Sequence, residues 1–401
     1  MKIIEIGTGY TSVPAKIGAA TEIVVQELTT SILNMGYDAI IADIKDKNRT
    51  ETNLPIEEVY MPQFFSSTDT SLGIIHKLKR ILYSISLTYK LHQIIKREKD
   101  TIILHFHNQY NLYFFLKLSS KSIRRQVIIG YTVHSYVWFG KWEDIKYTIK
   151  KRYFQELYCC KHADKVFVLN DIISNMLVMQ YNINPQNIIK VINGVNVNTY
   201  NENNVGFEDI NRIKNKYNLY NKKIVLQVGS ICDRKNQIGT LKLLMPIMKK
   251  REDVFFIYAG GIIDPIYADN IQKLAEEEDI KNRVIYIGET SPGYQLNLLY
   301  SLSNVTIVNS KSEAFALVIA ESLSAGRPVF INDTIMQSLS FLGEKEGQGI
   351  IRITNNFEED LNKLLTDKKY YIKMQELGRN FIVNEYSWNV AANQYLQALM
   401  K

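Results

Sequence analysis

Two carboxylates, Glu313 and Glu321, stand eight residues apart in the segment Ser312-Glu-Ala-Phe-Ala-Leu-Val-Ile-Ala-Glu-Ser-Leu-Ser-Ala-Gly-Arg-Pro-Val329. The apolar run Val305–Val308 before it and Pro328–Ile331 at its end read as buried parallel strands. The spacing predicts a helix that begins at Glu313 and carries Glu321 a little over two turns inside. A strand–loop–helix–strand unit directs helix N-terminal amides at a ligand beside the strand ends, where anions are favoured. Carboxylates there repel a bare phosphate. They suit hydroxyl groups, while amides and nearby cations suit the phosphate. Hydroxyls beside phosphate describe a nucleotide sugar.

A second segment, Val228-Gly-Ser-Ile-Cys-Asp-Arg-Lys-Asn-Gln237, supplies the cations. A strand ends at Gly229, and Arg234 and Lys235 follow in a polar loop at the ligand end expected of an open parallel sheet. Together they could hold a diphosphate by charge-assisted hydrogen bonds, each contributing about 1.5–3 kcal/mol. Taken alone they are equally well read as solvated loop cations; the acidic segment in the same half favours the ligand. His134, in Tyr131-Thr-Val-His-Ser135, closes another strand and could donate to a sugar hydroxyl or to developing charge. A histidine at a strand end is otherwise structural.

Other chemistries fit less well. Gly7-Thr-Gly-Tyr-Thr-Ser12 opens like a dinucleotide fingerprint, but Ser12 stands at the third glycine and Pro14–Ala20 intervenes before a helix. A glycine loop that lets backbone approach a ligand suits these residues better. His105 and His107 share one face of a strand, yet no third ligand is spaced nearby, so no metal is expected. Three cysteines, two of them adjacent, form no disulfide framework and fit a reducing compartment.

The elements that must position these residues alternate along the chain. Strands are expected at Lys2–Ile6, Ala39–Ile44, Thr101–Phe106, Gln126–Val133, Lys165–Leu169 and Ile188–Ile192. In the second half they are expected at Ile224–Gly229, Val254–Tyr258, Val284–Ile287, Val305–Val308 and Pro328–Ile331. Helical patterns such as Thr21–Met35, Gln237–Lys250 and Tyr267–Glu278 lie between them. This alternation implies parallel sheets covered by helices on both faces. With 401 residues, 46% hydrophobic and 22% charged, two globular domains are the expectation. They divide at 1–200 and 201–385, with a last helix over 386–401 packing back on the first.

Residues 1–200 hold 24 Lys+Arg against 17 Asp+Glu, whereas residues 201–401 balance at 24 and 24. Seven of these cations fall in His76–Lys99, where Ile74, Leu78, Ile81, Leu82 and Ile85 recur at helical spacing. Such a helix either packs on a core with a solvated basic face or lies on an anionic membrane. No apolar run is long enough to span a bilayer, and the start reads as a buried strand, so a cytoplasmic protein is expected.

These motifs resemble the retaining glycosyltransferases of the large family 4 type, over nearly the whole chain. Glu313 and Glu321 match that family's Glu-x7-Glu segment. Asn193-Gly-Val195, His105-x-His107, Thr132-Val-His134 and Tyr386-Ser-Trp388 match further positions. The resemblance implies an α/β fold of GT-B type: two doubly wound Rossmann-like domains facing a central cleft, the first on the acceptor side and the second binding the nucleotide sugar. It implies that Glu321 holds the donor ribose and that Glu313, with the amides of Phe315 and Ala316, engages the transferred sugar. Lys235 would neutralise the diphosphate, with Gly229 and Arg234 beside it. His134 would touch the sugar, and Gly18 would lie in the glycine loop near the phosphate. Three departures stand out. Ser230 occupies the place of an expected arginine, Gly18-Ala19 replaces Gly-Gly, and Ile331-Asn-Asp-Thr-Ile-Met336 lacks the usual Gly-Gly-x-x-Glu.

The expectation is a hexosyltransferase-like enzyme that moves a sugar from a UDP- or GDP-sugar to a hydroxyl of a glycan or lipid-linked acceptor, with retention. It needs no cofactor, and its partners are the nucleotide sugar, the acceptor and an anionic membrane surface, not nucleic acid. A nucleotide-sugar epimerase of the same fold would instead convert the donor without an acceptor. A catalytically silent glycan-binding subunit would do neither.

Overall fold

A computed structural model describes the chain except residues 16–19, 63–73, 135–137, 139–140, 314–315 and 339–344. The described residues form two compact units, Met1–Gly194 with Trp388–Lys401, and Val195–Ser387.

The first unit is built on seven parallel strands: β1 (Lys2–Ile6), β2 (Asp38–Ile44), β3 (Ile56–Val59), β4 (Ile102–Phe106), β5 (Val127–Val133), β6 (Lys165–Val168) and β7 (Ile188–Lys190). Their order across the sheet is β3-β2-β1-β4-β5-β6-β7. All five side chains of Ile-Ile-Leu-His-Phe in β4 are buried, as a central strand covered on both faces requires. The second unit repeats the plan with six parallel strands: β8 (Lys223–Val228), β9 (Val254–Ala259), β10 (Val284–Gly288), β11 (Val305–Val308), β12 (Val329–Ile331) and β13 (Ile350–Arg352). Their order is β10-β9-β8-β11-β12-β13.

In each sheet the order reverses once, between β1 and β4 and between β8 and β11. The strands on either side of that point send their following loops apart, which leaves a crevice at their C-terminal ends. Arg234 and Lys235 follow β8, and Glu313 and Glu321 follow β11, so these four residues leave the two strands that flank the reversal point of the second sheet.

Two strands escaped the sequence reading, and both are sheet edges. β3, Ile-Glu-Glu-Val, is half polar, and β13 has only three residues. Neither carries the continuous apolar run that marks a doubly covered strand.

Helix Trp388–Leu399 belongs to the first unit. It buries Trp388, Ala391, Ala392, Tyr395, Leu396 and Leu399, and it packs on the helix Ala20–Asn34. The basic helix, Ile74–Arg97, differs from its expected form. Its core side is Tyr83, Leu87, Leu91, Ile94 and Ile95, whereas Leu78 and Ile85 are exposed. Lys79 is buried, with its Nζ donating to the Tyr10 carbonyl at 3.2 Å. Among the described residues no helix is long and apolar enough to cross a membrane.

Candidate active site

In the second unit, the loops that follow β8 and β11 meet at the reversal point. Lys311 N donates to Arg234 O at 2.8 Å, and Asn236 Nδ2 donates to Asn309 O at 3.1 Å. Arg234 Nη1 reaches the Ser312 carbonyl at 3.0 Å and Glu313 Oε2 at 3.3 Å. Lys235 Nζ donates to Glu313 Oε1. Residues 78 positions apart are thus fastened into one cluster of two cations and a carboxylate.

Local backbone explains why these side chains converge. Asp233–Lys235 form a single 3-10 turn closed by Asn236 in the left-handed region at φ +57°, from which the helix Gln237–Lys250 starts. Asparagine tolerates that conformation better than other residues bearing side chains. Gly229 has φ +147°, and a Cβ there would lie 3.1 Å from Lys235 Cε, so the glycine leaves the lysine stem its path. A Cβ on Gly260 would lie 2.1 Å from the Gly229 carbonyl oxygen. Gly260 is a requirement the sequence reading missed, although the Gly260-Gly261 pair after β9 signalled a close backbone approach.

Glu313 is 9% exposed, and burial works to raise its carboxyl. The Lys235 ammonium and Arg234 guanidinium outweigh that and hold it below the ordinary carboxylate range. Glu313 is therefore a charged group with both oxygens engaged.

The helix after β11 begins later than expected. It runs Leu317–Ser324 behind Ala316, so Glu313 lies in the loop before it, and Glu321 sits about one turn inside rather than two. The loop residues Asn309, Lys311 and Ser312 before it are hydrogen-bonded to the neighbouring loop. Ala316 is buried at its start. Phe315 and Gly18 lie outside the described residues. Glu321 is buried and accepts a hydrogen bond from Tyr300 Oη at 2.8 Å. Burial raises its carboxyl above the usual value, while the Tyr300 and Tyr200 hydroxyls draw it partly back. Neither tyrosine was found from sequence, because partners 21 and 121 positions away leave no local pattern. Ser230, at the expected arginine's position, accepts on its carbonyl from Gln237 Nε2 at 3.0 Å.

In the first unit, the C-terminal ends of β1, β4 and β5 gather a second cluster. Glu5 receives both histidines of the His-x-His pair: His105 Nδ1 lies 3.0 Å from Oε1, and His107 Nε2 lies 2.8 Å from Oε2. His105 Nε2 lies 2.7 Å from Thr132 Oγ1, and His107 Nδ1 lies 3.0 Å from His134 Nε2. Here the absence of a third ligand near the pair is corrected. Glu5 comes from β1, about a hundred positions earlier, and the three form the one such group among the described residues, with donor atoms within 4.8 Å of one another. All are buried, and each Glu5 oxygen already meets an imidazole nitrogen at hydrogen-bond distance. The arrangement is that of a buried carboxylate hydrogen-bonded to two imidazoles. Burial pushes the Glu5 carboxyl up, but the two histidines overcome this and hold it at about 2. His107 is kept down at about 4 by burial and by His105, against the pull of Glu5. His134 is pushed well below its usual value by burial, then by His107 and His105.

Comparison with known proteins places both units. Residues 21–199 match the family model described as Glycosyltransferase Family 4, and residues 209–381 match Glycosyl transferases group 1. Among curated relatives, the alpha-monoglucosyldiacylglycerol synthase of Streptococcus pneumoniae is 25% identical over 206 residues, covering 48% of this chain and 45% of that protein. The chain spans about half the length of the curated relatives it matches. Solved structures align along the whole chain. The sucrose-phosphate synthase of Thermosynechococcus elongatus has TM-score 0.72 at 19% identity, covering 99% of this chain and 98% of that one. An Anabaena protein in complex with UDP and glucose has TM-score 0.71 at 15% identity and full coverage of both chains. These likenesses establish the fold as GT-B.

Proposed function

We propose, from the premise that this chain belongs to the group 1 glycosyltransferases, that it transfers a hexose from a nucleoside diphosphate sugar to an acceptor hydroxyl with retention of configuration. The observation that carries this reading is the Arg234–Lys235–Glu313 cluster at the point where the second sheet reverses its strand order. A diphosphate arriving there meets two cations already held in place by a buried carboxylate. Preorganised cations stabilise charge as it develops on a leaving group without reorganising during the reaction.

In this reading the anomeric carbon–phosphate oxygen bond breaks while the acceptor oxygen bonds to the same carbon. The acceptor proton passes to the departing phosphate oxygen. No enzyme nucleophile is assigned. Lys235 and Arg234 offset the diphosphate charge, Glu313 engages sugar hydroxyls, and Glu321, oriented by Tyr300, holds the ribose. UDP and GDP are the nucleotides to try first; the Anabaena structure holding UDP with glucose supports the former.

For the acceptor, the first unit favours a glycan or lipid-linked saccharide at the cytoplasmic membrane face. On helix Ile74–Arg97, Ile75, Leu78, Ile85 and Tyr89 are 68%, 50%, 42% and 67% exposed. Their spacing of three, seven and four places them on one helical stripe, and the exposed Lys77 and Lys96 lie on the same helix. An apolar stripe accompanied by lysines suits an anionic bilayer surface. The relative named alpha-monoglucosyldiacylglycerol synthase points the same way.

Transfer assays with UDP- and GDP-sugars test the site. Lys235→Ala and Glu313→Ala are each expected to lower turnover by two orders of magnitude or more, the range seen on removing a group that stabilises developing charge. Glu321→Ala is expected to weaken donor binding first. Wild-type rates in all three variants would refute the assignment.

A further inference from the structure

The hydrogen bonds of the first unit determine which nitrogen His134 offers to a ligand. A contact between two neutral imidazoles joins one N–H to one lone pair. The Glu5 carboxylate can only accept, so His107 donates to it through Nε2, which lies 2.8 Å away. A neutral His107 then carries its lone pair on Nδ1. His134 Nε2, 3.0 Å from that atom, must supply the proton. Its own Nδ1 is left with the lone pair, and among the described residues it has no hydrogen-bond partner.

We propose that Glu5 and His107 are positioning residues that fix His134 in the Nε2–H tautomer, so that His134 meets a ligand as a hydrogen-bond acceptor. This reverses the donor role expected from sequence. The proton arrangement runs from a buried anion outward: Glu5 accepts from His107, His107 accepts from His134, and His134 accepts from the ligand. The anchor is firm because Glu5 is wholly buried and is also met by His105, whose far nitrogen is held by Thr132 at 2.7 Å. Burial and the neighbouring histidines disfavour the alternative, a cationic His107 that would donate to His134 and invert it.

The ligand group is therefore one that donates, and a sugar hydroxyl fits. That identification rests on the proposed transfer reaction; the tautomer does not. A hydroxyl read by an acceptor cannot be replaced by fluorine, which has no proton to give. A hydroxyl read by a donor can be.

Two measurements test this on the full chain. Nitrogen-15 NMR of ring-labelled histidine, with His134 assigned by the signals lost in His134→Gln, needs no ligand. We expect a protonated Nε2 and an unprotonated Nδ1 on His134 at pH 7.5, and a mixed or inverted tautomer in Glu5→Gln. An Nδ1–H tautomer or an imidazolium in the wild-type protein overturns the proposal, whether or not the Glu5 variant folds. The second measurement compares binding of UDP-glucose with its monodeoxy and monofluoro analogues. At one sugar position both changes should weaken binding about tenfold, the value of one hydrogen bond, and the loss should vanish in His134→Ala. A fluoro analogue that binds like the parent where the deoxy analogue fails would make His134 a donor and overturn the proposal. If no nucleotide sugar binds, the transfer reading fails while the NMR result still decides the relay.

Discussion

Glu5 shows how a single buried carboxylate can set the behaviour of three imidazoles around it. The same cluster has a consequence for stability against pH. An unfolded chain protonates a histidine near the ordinary 6.5, whereas folded His107 resists until about 4. Between those values the unfolded state takes up a proton that the native state refuses, so native stability falls on acidification. The slope is about 1.4 kcal/mol per pH unit for one such group. Glu5 extends the fall. Its folded value of about 2 lies below the ordinary 4.5, so its contribution is present above 4.5 and is lost as pH drops toward 2. Urea unfolding across pH 7 to 4 is expected to show this decline and a shallower one in His107→Gln. Parallel profiles would mean that His107 titrates normally.

At the scale of elements, the last helix ties the first unit together from the far end of the chain. Tyr395 lies with its ring centroid 5.0 Å from that of His105 and 4.6 Å from that of Phe167. Gly130 in β5 gives this helix room: a Cβ there would be 2.9 Å from Leu399 Cδ2 and 3.1 Å from Phe167 Cε2. At Gly194 the crowding is against backbone, with Trp388 N only 2.6 Å from a built Cβ. Leucine and phenylalanine tips can yield, but a helix N-terminus cannot do so locally. We therefore expect Gly194→Ala to destabilise by about 1–3 kcal/mol, the usual range for overpacking, and Gly130→Ala by less. Chemical denaturation of the two variants checks the order. The reverse ranking would show that the Trp388 end is the softer one.

Over the whole molecule, the charge asymmetry follows the folded units. The first, with its returning helix, carries 25 Lys+Arg against 17 Asp+Glu, a net +8, and the second carries 23 against 24, a net −1. The structure narrows what that excess can do. Lys79 is buried, and Lys90 and Arg97 both pair with Glu57. What helix Ile74–Arg97 presents outward is an apolar stripe more than a basic face. Binding to phosphatidylglycerol-containing vesicles is thus expected to depend on both. Lys77→Glu with Lys96→Glu should weaken it most at low salt, at about 1 kcal/mol per lysine. Ile75→Ser with Tyr89→Ser should weaken it at every salt concentration. Absence of vesicle binding at low salt would remove the membrane from the acceptor reading.

What the sequence determined by itself was whatever local pattern encodes. Continuous apolar runs marked eleven of the thirteen strands, because a strand covered on both faces must be apolar throughout. The Glu-x7-Glu segment and the Arg234-Lys235 pair were visible as motifs because each lies within one loop-and-helix stretch. Tertiary structure decided the rest. It brought Glu313 to Lys235 across 78 positions, gave Glu321 its tyrosine partners, and set Glu5 beneath the His-x-His pair. It also set His134 against His107, and the position of an imidazole proton depends on partners that only folding brings within about 3 Å. Pairings across parallel strands join distant stretches of chain, and no local spacing records which side chains will meet there.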